Sequence, residues 1–170
     1  MPHFVEKRRV PVRVQCSGDE PMIGFLSVSP QSALHDGPET LLELLNTAVR
    51  VVPMILAADS SVLLLTRQYL DWVTPDPSVE SDLVRPRQYM ITREERVAVE
   101  WLDGGHTEGL VPMELPRDLN RASDFLNGQD DFFPLVTPSG TTLVNKSRIR
   151  AVRIFGMSPR PRASVFDTAS

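Results

Sequence analysis

The sequence predicts a mainly β protein, a β-rich α+β fold of two tandem five-stranded small barrels with a short helix between strands two and three of each. Short runs alternate between apolar and polar residues, and polar turns separate these runs. The same order of segments occurs twice along the chain. With 170 residues, the chain is long enough for two units of this size.

The repetition is visible in three segments that align at slowly decreasing offsets. Residues 12–28 align with 97–113 at an offset of 85, residues 41–55 with 122–136 at 81, and residues 62–73 with 141–152 at 79. Eight of these 44 aligned positions are identical, and each change of offset falls in a loop-like segment, where deletions are tolerated. The pattern indicates an internal duplication. The alternative is a single α+β domain with chance similarity.

Each copy is expected to begin with a strand, a polar turn and a second strand. In the first copy Val10, Val12, Val14 and Cys16 alternate with more polar residues, which is the period of a half-buried strand. The turns are predicted at 18–21 and 103–106, because Gly and Asp tolerate the backbone conformations that hairpins need. The second strands are predicted at 22–28 and 107–113.

A short helix and three further strands complete each copy. Thr40 is the predicted N-cap of the first helix, and Asn120 or Ser123 that of the second. Asn46 and Asn127 are expected to end these helices, since Asn accepts the left-handed exit conformation. The third and fourth strands are predicted at 51–57, 62–66, 132–137 and 142–145, and a tight polar turn leads from each fourth strand into a fifth.

These elements set the predicted boundaries. The first barrel covers residues 1–74, a proline-rich linker 75–88, the second barrel 89–156, and a basic and polar tail 157–170. Proline cannot donate a hydrogen bond to a β-ladder, so the segment between the barrels is expected to be a linker or an extended crossing.

The order of strands and turns resembles the small five-stranded barrels of the Sm-like and SH3-like families. The segment from Leu126 to Ile149, with Leu-Asn, Phe-Phe-Pro-Leu and Val-Asn-Lys-Ser-Arg-Ile in turn, also resembles an uncharacterised bacterial domain family. The helix after strand two departs from the Sm pattern, which places a helix before strand one, and the Sm RNA-binding signature is not recognisable. The resemblance therefore implies a fold and brings no catalytic residues.

Composition and charge exclude several protein classes. A single cysteine, Cys16, cannot form an intramolecular disulfide or supply a thiolate cluster for zinc. The charged N-terminal residues do not fit a signal peptide, and the longest apolar runs are much shorter than the roughly 20 residues of a membrane span. The chain is therefore expected to be cytoplasmic, without membrane contact.

No catalytic residue, cofactor or metal site is predicted. His3, His35 and His106 are far apart in the sequence, and His35 and His106 are expected to be solvated turn residues. Cys16 lies in the inward register of strand one, where a free cysteine usually packs as a small hydrophobic residue. The phosphate-loop, dinucleotide and serine-nucleophile motifs do not occur.

The best sequence signal for binding is a basic stretch near the C-terminus. No Asp or Glu lies between Phe132 and Phe166. The candidate partner-binding residues are Lys146, Arg148, Arg150, Arg153, Arg160 and Arg162. Residues 1–85 carry a net charge of −4 and residues 86–170 a net charge of 0, which favours contact between this stretch and an acidic protein surface or the first half of the chain.

These observations predict a non-catalytic binding or assembly module, acting as a protein–protein adaptor or a homo-oligomer. Small β units present strand edges that invite pairing with another chain. The alternative is a nucleic-acid-binding regulator that uses the basic stretch. An enzyme that uses Cys16 or a loop histidine is a third hypothesis, with no converging residues to support it.

Overall fold

In the computed structural model, which describes residues 6–86, 93–113 and 122–158, ten strands form one antiparallel sheet. The strands are β1 (Arg8–Cys16), β2 (Met22–Val28), β3 (Val51–Leu56), β4 (Val62–Thr66), β5 (Leu70–Pro75), β6 (Arg93–Trp101), β7 (His106–Met113), β8 (Phe132–Thr137), β9 (Gly140–Asn145) and β10 (Ile149–Ser158). The helices are α1 (Leu41–Asn46), α2 (Ser81–Val84) and α3 (Ala122–Leu126), and single 3-10 turns span Arg67–Tyr69 and Lys146–Arg148.

The strand order is β10-β6-β7-β8-β9-β5-β1-β2-β3-β4. Each half therefore places its fifth strand beside its first, and the halves meet where β9 pairs with β5. The predicted β-rich class is confirmed, but the prediction of two closed barrels is wrong. Because the outer side of β9 hydrogen-bonds to β5, it extends the sheet into the other half instead of closing a barrel of its own.

Strand registers repeat between the halves at the offsets seen in the sequence. Two residues that face each other across a strand pair in the first half have aligned residues that face each other in the second half, at offsets of 85, 81 or 79 residues. The matching pairs are Val12–Gly24 with Val97–Gly109, and Pro53–Leu64 with Pro134–Leu143. Aligned residues therefore occupy equivalent positions in the two halves.

Each half has a cluster of buried side chains, and the two clusters meet at β5 and β9. Val10, Val12 and Val14 all face the first cluster, as their alternation predicts. This cluster also takes in Phe132 of the second half. Trp72 of β5 packs against the second cluster. The two halves therefore share apolar contacts across the pairing of β5 with β9, which we call the joint.

Helix α1 begins as predicted, because Thr40 and Glu43 form a reciprocal capping box at its N-terminus. Its leucines pack into the first cluster, and it ends at Asn46 as predicted. The left-handed exit conformation expected of Asn46 is wrong, because the chain leaves the helix through Thr47 in an extended conformation, with φ −71° and ψ 162°. The second helix begins at Ala122, so Ser123 lies inside it, while Asn120 is outside the described residues. The predicted linker holds α2, whose Leu83 and Val84 are buried.

Candidate functional site

The joint between the halves is fastened by the side chain of Asn46, at the end of α1. Its Nδ2 donates a hydrogen bond to the Phe132 carbonyl oxygen at 3.2 Å, and the Phe132 N–H donates to its Oδ1 at 2.8 Å. The amide thus satisfies both backbone groups of Phe132, the first residue of β8. The sequence predicted that Asn46 ends the helix, and in the structure its side chain also joins the two halves.

Polar side chains of β9 and β5 reinforce the strand pairing. Asn145 Nδ2 donates to the carbonyl oxygens of Gln68 at 3.2 Å and Leu70 at 2.9 Å. The hydroxyl groups of Thr74 and Thr142 lie 2.6 Å apart, within hydrogen-bonding distance. The joint therefore combines backbone pairing with side-chain bonds along its length.

Arg148, one of the predicted partner-binding residues, belongs to this joint. Its Nε donates to Asp71 Oδ1 at 3.2 Å, and its Nη2 donates to Ser17 Oγ at 2.5 Å. Burial raises the pKa of Asp71, and the Arg148 guanidinium opposes that shift by stabilising the carboxylate. Arg148 therefore contacts the first half of its own chain, the intramolecular partner that the charge distribution suggested.

The other predicted basic residues that the structure describes, Lys146, Arg150 and Arg153, do not form one cluster with Arg148. Lys146 Nζ donates to the carbonyl oxygens of Phe125 and Gly128 beside α3 and lies 5.6 Å from the Phe125 ring centroid. Burial lowers the pKa of Lys146, although nearby carboxylates oppose the shift. Arg150 and Arg153 are exposed and both pair with Glu100 at 3.4 Å. Arg160 and Arg162 lie outside the described residues.

The two outermost strands, β4 and β10, leave one edge of each without a strand partner among the described residues. Val62 and Leu64 of β4 and Ile154 and Phe155 of β10 are exposed apolar residues.

The backbone groups of Leu64 point to the outer edge of β4. Leu64 lies opposite Pro53, which has no N–H. Arg67 N–H donates to the Arg50 carbonyl, and Leu56 N–H to the Ser61 carbonyl. The antiparallel alternation therefore turns the N–H and C=O of Leu64 away from β3.

The sequence predicted strand edges that invite pairing, but it assigned the binding residues to the basic stretch and did not indicate which strands form the edges. The signal was present in the run Val62-Leu-Leu-Leu, which is apolar on both faces and does not alternate as a half-exposed strand does. A strand that is apolar on both faces is typical of one covered on both sides. Here Leu64 is 65% exposed.

A cleft of about 460 Å³ lies between α1 and the loop that precedes it. Its lining includes Leu34, Leu42 and Glu43. Glu43 accepts hydrogen bonds from Ser32 Oγ at 2.6 Å and from the Thr40 N–H at 3.2 Å. His35 Nε2 lies 2.5 Å from Glu43 Oε1. Glu43 thus fastens the loop to α1.

His35 is not the solvated turn residue that the sequence suggested. Its side chain is 15% exposed, because it packs against Glu43. His106, in contrast, is exposed and begins β7, while His3 lies outside the described residues. In residues 6–86, 93–113 and 122–158, no three or more His, Cys, Asp or Glu side chains group in a way that could hold a metal ion.

Cys16 is partly buried at the end of β1. Burial raises the pKa of the Cys16 thiol, and the carboxylates of Asp19 and Asp71 raise it further. Since the thiolate is the nucleophilic form of cysteine, this environment disfavours nucleophilic chemistry at neutral pH.

None of the helices in the described ranges has the length and apolar character needed to cross a membrane; α1, with six residues, is the longest of them. Comparisons of the chain with family models, curated proteins and solved structures found no match. The geometry of the joint and of the two free edges is therefore the basis for a functional proposal.

Proposed function

We propose that this protein is a non-catalytic binding and assembly module that acts through the two free edges of its sheet. The observation that carries the proposal is that both outermost strands combine exposed apolar side chains with an edge that has no strand partner in residues 6–86, 93–113 and 122–158. An added strand forms main-chain hydrogen bonds with such an edge, and alternate side chains of the added strand supply specificity. Long apolar edges are otherwise protected in proteins, because they attract other strands.

The β5–β9 joint supports this proposal. There, strands from the two halves pair in antiparallel register, and side chains on either side, such as Asn46 and Asn145, bond across the pairing. A strand edge of this chain can therefore be completed by an edge from another small sheet.

The nucleic-acid alternative stays a prediction without a structural observation in its favour. Arg148 is held by Asp71 and Ser17, and Arg150 and Arg153 pair with Glu100. Phosphate binding by these side chains would compete with their contacts inside the chain.

Lysine substitutions at the two edges test the proposal. A double variant, Leu64→Lys with Ile154→Lys, places a charge on each edge and disfavours strand addition. Ile23→Lys is the matched control, because Ile23 is 66% exposed and lies in β2, away from both edges. The measurement is the size of tagged protein in native extracts of the cells that encode it, by gel filtration.

The wild-type chain and the Ile23→Lys control are expected to elute as part of a larger complex, and the double variant is expected to elute as one tagged chain, of 19.0 kDa plus the mass of the tag. A wild-type chain that elutes alone, or a double variant that keeps the wild-type size, would overturn the proposal.

A further inference from the structure

We infer that each free edge is completed by a second copy of this chain, with β4 of one molecule adding antiparallel to β10 of the next. This inference rests on the proposed function and names its partner. The joint within the chain pairs the fourth strand of the second half, β9, with the fifth strand of the first half, β5. The free edges are the fourth strand of the first half and the fifth strand of the second. One chain therefore carries both sides of the same kind of joint a second time, and neither side has a strand partner in the part of the chain that the structure describes.

The strand registers define how the two copies would meet. Within the chain, Val144 faces Trp72 and Leu143 faces Val73. At the offset of 79, these pairs correspond to Leu65 with Ala151 and Leu64 with Val152. Leu64, whose backbone groups point away from β3, then lies opposite β10 as its equivalent Leu143 lies opposite β5.

The two hydrogen bonds between Asn46 and the Phe132 backbone, which we call the asparagine clamp, have a counterpart at the free edges. Asn46 and Phe132 correspond to Asn127 and Val51 at an offset of 81. Asn127 is exposed, and its side chain forms no hydrogen bond with the described residues. An asparagine of the same type, at the end of the equivalent helix, is thus available to hold the next molecule.

Val51 presents the backbone groups that this clamp requires. Val51 begins β3 as Phe132 begins β8, and it faces Thr66 as Phe132 faces Asn145. In the first half the Arg67 N–H donates to the carbonyl oxygen of Arg50, the residue before Val51. In the second half the Lys146 N–H donates to the carbonyl oxygen of Asp131, the residue before Phe132. The antiparallel alternation then directs the N–H and C=O of Val51 away from β4, in the orientation that Asn46 uses at Phe132.

A set of three exposed side chains replaces the Arg148 contact. Arg148, Asp71 and Ser17 correspond to Tyr69, Arg150 and Leu102, of which Tyr69 is 53% and Leu102 50% exposed. In the next copy the Tyr69 ring would cover Leu102 and receive on its face the guanidinium of Arg150, which pairs with Glu100 of its own chain at 3.4 Å. Tyrosine and arginine are, together with tryptophan, the side chains enriched at the energetic centres of protein interfaces.

One internal contact has no favourable equivalent. The ion pair between Arg67 and Asp131, at 2.6 Å, corresponds to Lys146 and Arg50, which are both cationic. The joint between molecules therefore lacks this ion pair, and we expect it to dissociate on dilution.

Pairing of β4 with β10 is heterologous, since the two contact surfaces differ. Each added molecule leaves one β4 edge and one β10 edge unpaired, so the assembly grows beyond a dimer until it closes into a ring or continues as a filament. The same property provides a direct test, because blocking one edge in each of two variants leaves one usable joint between them.

The experiment uses purified full-length protein in light scattering and sedimentation over a range of concentrations. The wild-type chain is expected to form species larger than a dimer of the 19.0 kDa chain, and Ile23→Lys is expected to do the same. Leu64→Lys and Ile154→Lys are each expected to be single chains, and their equimolar mixture is expected to form a dimer. Asn127→Ala is expected to weaken the wild-type association about tenfold, the effect of losing one hydrogen-bonding side chain.

A dimer of either single variant alone would overturn the inference, because it requires pairing of two identical edges. A wild-type chain that stays a single chain at every concentration would also overturn it. If that chain still enters an edge-dependent complex in the native extract, the proposed function stands with a different partner; if it does not, both proposals fail.

Discussion

At the scale of single residues, Gly24 and Gly109 occur at aligned positions because the neighbouring strand passes too close for a side chain. A Cβ on Gly24 would collide with the Ile55 carbonyl oxygen, and a Cβ on Gly109 would lie 2.7 Å from the Val136 carbonyl oxygen. Ile55 and Val136 are themselves aligned, at an offset of 81. The recurring glycine is thus explained by space between strands two and three of each half.

Alanine at Gly24 or Gly109 is therefore expected to destabilise the protein by about 1–3 kcal/mol, through overpacking. Gly105→Ala is the control, because a Cβ there would be 3.7 Å from its nearest neighbour, in ordinary contact. That change is expected to stay within about 0.5 kcal/mol of wild type. Denaturant unfolding measures all three, and equal effects at the three positions would contradict the explanation.

The contact between His35 and Glu43 predicts a pH dependence. Hydrogen bonds with the Asp36 carbonyl and with Glu43 raise the pKa of His35 above its ordinary 6.5. Burial works to raise the pKa of Glu43, but hydrogen bonds from Ser32, His35 and Thr40 outweigh it and hold that pKa below the ordinary 4.5. The stabilisation from His35 is complete below its ordinary pKa and is lost as pH rises through the folded value. That from Glu43 is present above its ordinary pKa and is lost as pH falls through the folded value.

His35→Gln is therefore expected to reduce the free energy of unfolding most between the ordinary pKa values of the two groups, 4.5 and 6.5. The deficit relative to wild type should shrink as pH rises through the folded pKa of His35. Urea unfolding of both proteins across this range and above it measures the effect. A deficit that is the same at all pH values would show that the imidazole charge does not contribute.

At the scale of elements, the end of α1 has a role that the isolated helix does not explain. The helix has six residues, too few to persist alone, and it is held by its buried leucines and by the bonds between Asn46 and Phe132. The C-terminus of α1 thereby positions the first residue of β8. Asn46 therefore both ends α1 and connects the two halves.

Asn46→Ala is expected to cost about 1–3 kcal/mol of stability, because it leaves the Phe132 backbone groups without partners at the joint. Asn127→Ala is the matched control and is expected to cost less than about 0.5 kcal/mol, because its side chain is exposed. Measuring both in the Leu64→Lys background separates folding from self-association. Similar losses for the two variants would contradict the role assigned to Asn46.

At the scale of the whole molecule, the two halves share their cores. Phe132 and Leu143 of the second half lie in the first cluster, and Trp72 of the first half packs on the second. Units of this size bury only about 60% of the surface of the unfolded chain, so each is marginal alone. Packing across the joint is therefore expected to couple their stabilities.

This coupling predicts one unfolding transition for both halves. Tryptophan fluorescence, which reports Trp72 and Trp101 beside the second cluster, and circular dichroism, which reports the whole sheet, are expected to give coincident denaturant curves. Phe132→Ala is expected to shift both curves by about 3–5 kcal/mol. Two separate transitions, or a shift in only one signal, would contradict shared stability.

The sequence by itself determined the local structure. Alternating or continuous apolar runs located the strands, with 22–28, 62–66 and 132–137 matching the structure in full, and Thr40 and Asn46 marked the ends of α1. Several other strands begin or end one to four residues from the predicted position, such as β1 at Arg8. These features depend on neighbours within a few residues, or on the period of a single strand, and a sequence records both directly.

Only the tertiary structure decided how the fourth and fifth strands are used. Side-chain alternation is equally satisfied when β9 closes its own barrel and when it pairs with β5, so the closed barrels predicted from the pattern could not be distinguished from one open sheet. The same holds for charge: the sequence showed a basic stretch, and only the fold brought Arg148 to Asp71 and His35 to Glu43. Such contacts depend on which distant segments meet, because hydrogen bonds and ion pairs form over a few ångströms, whatever the separation along the chain.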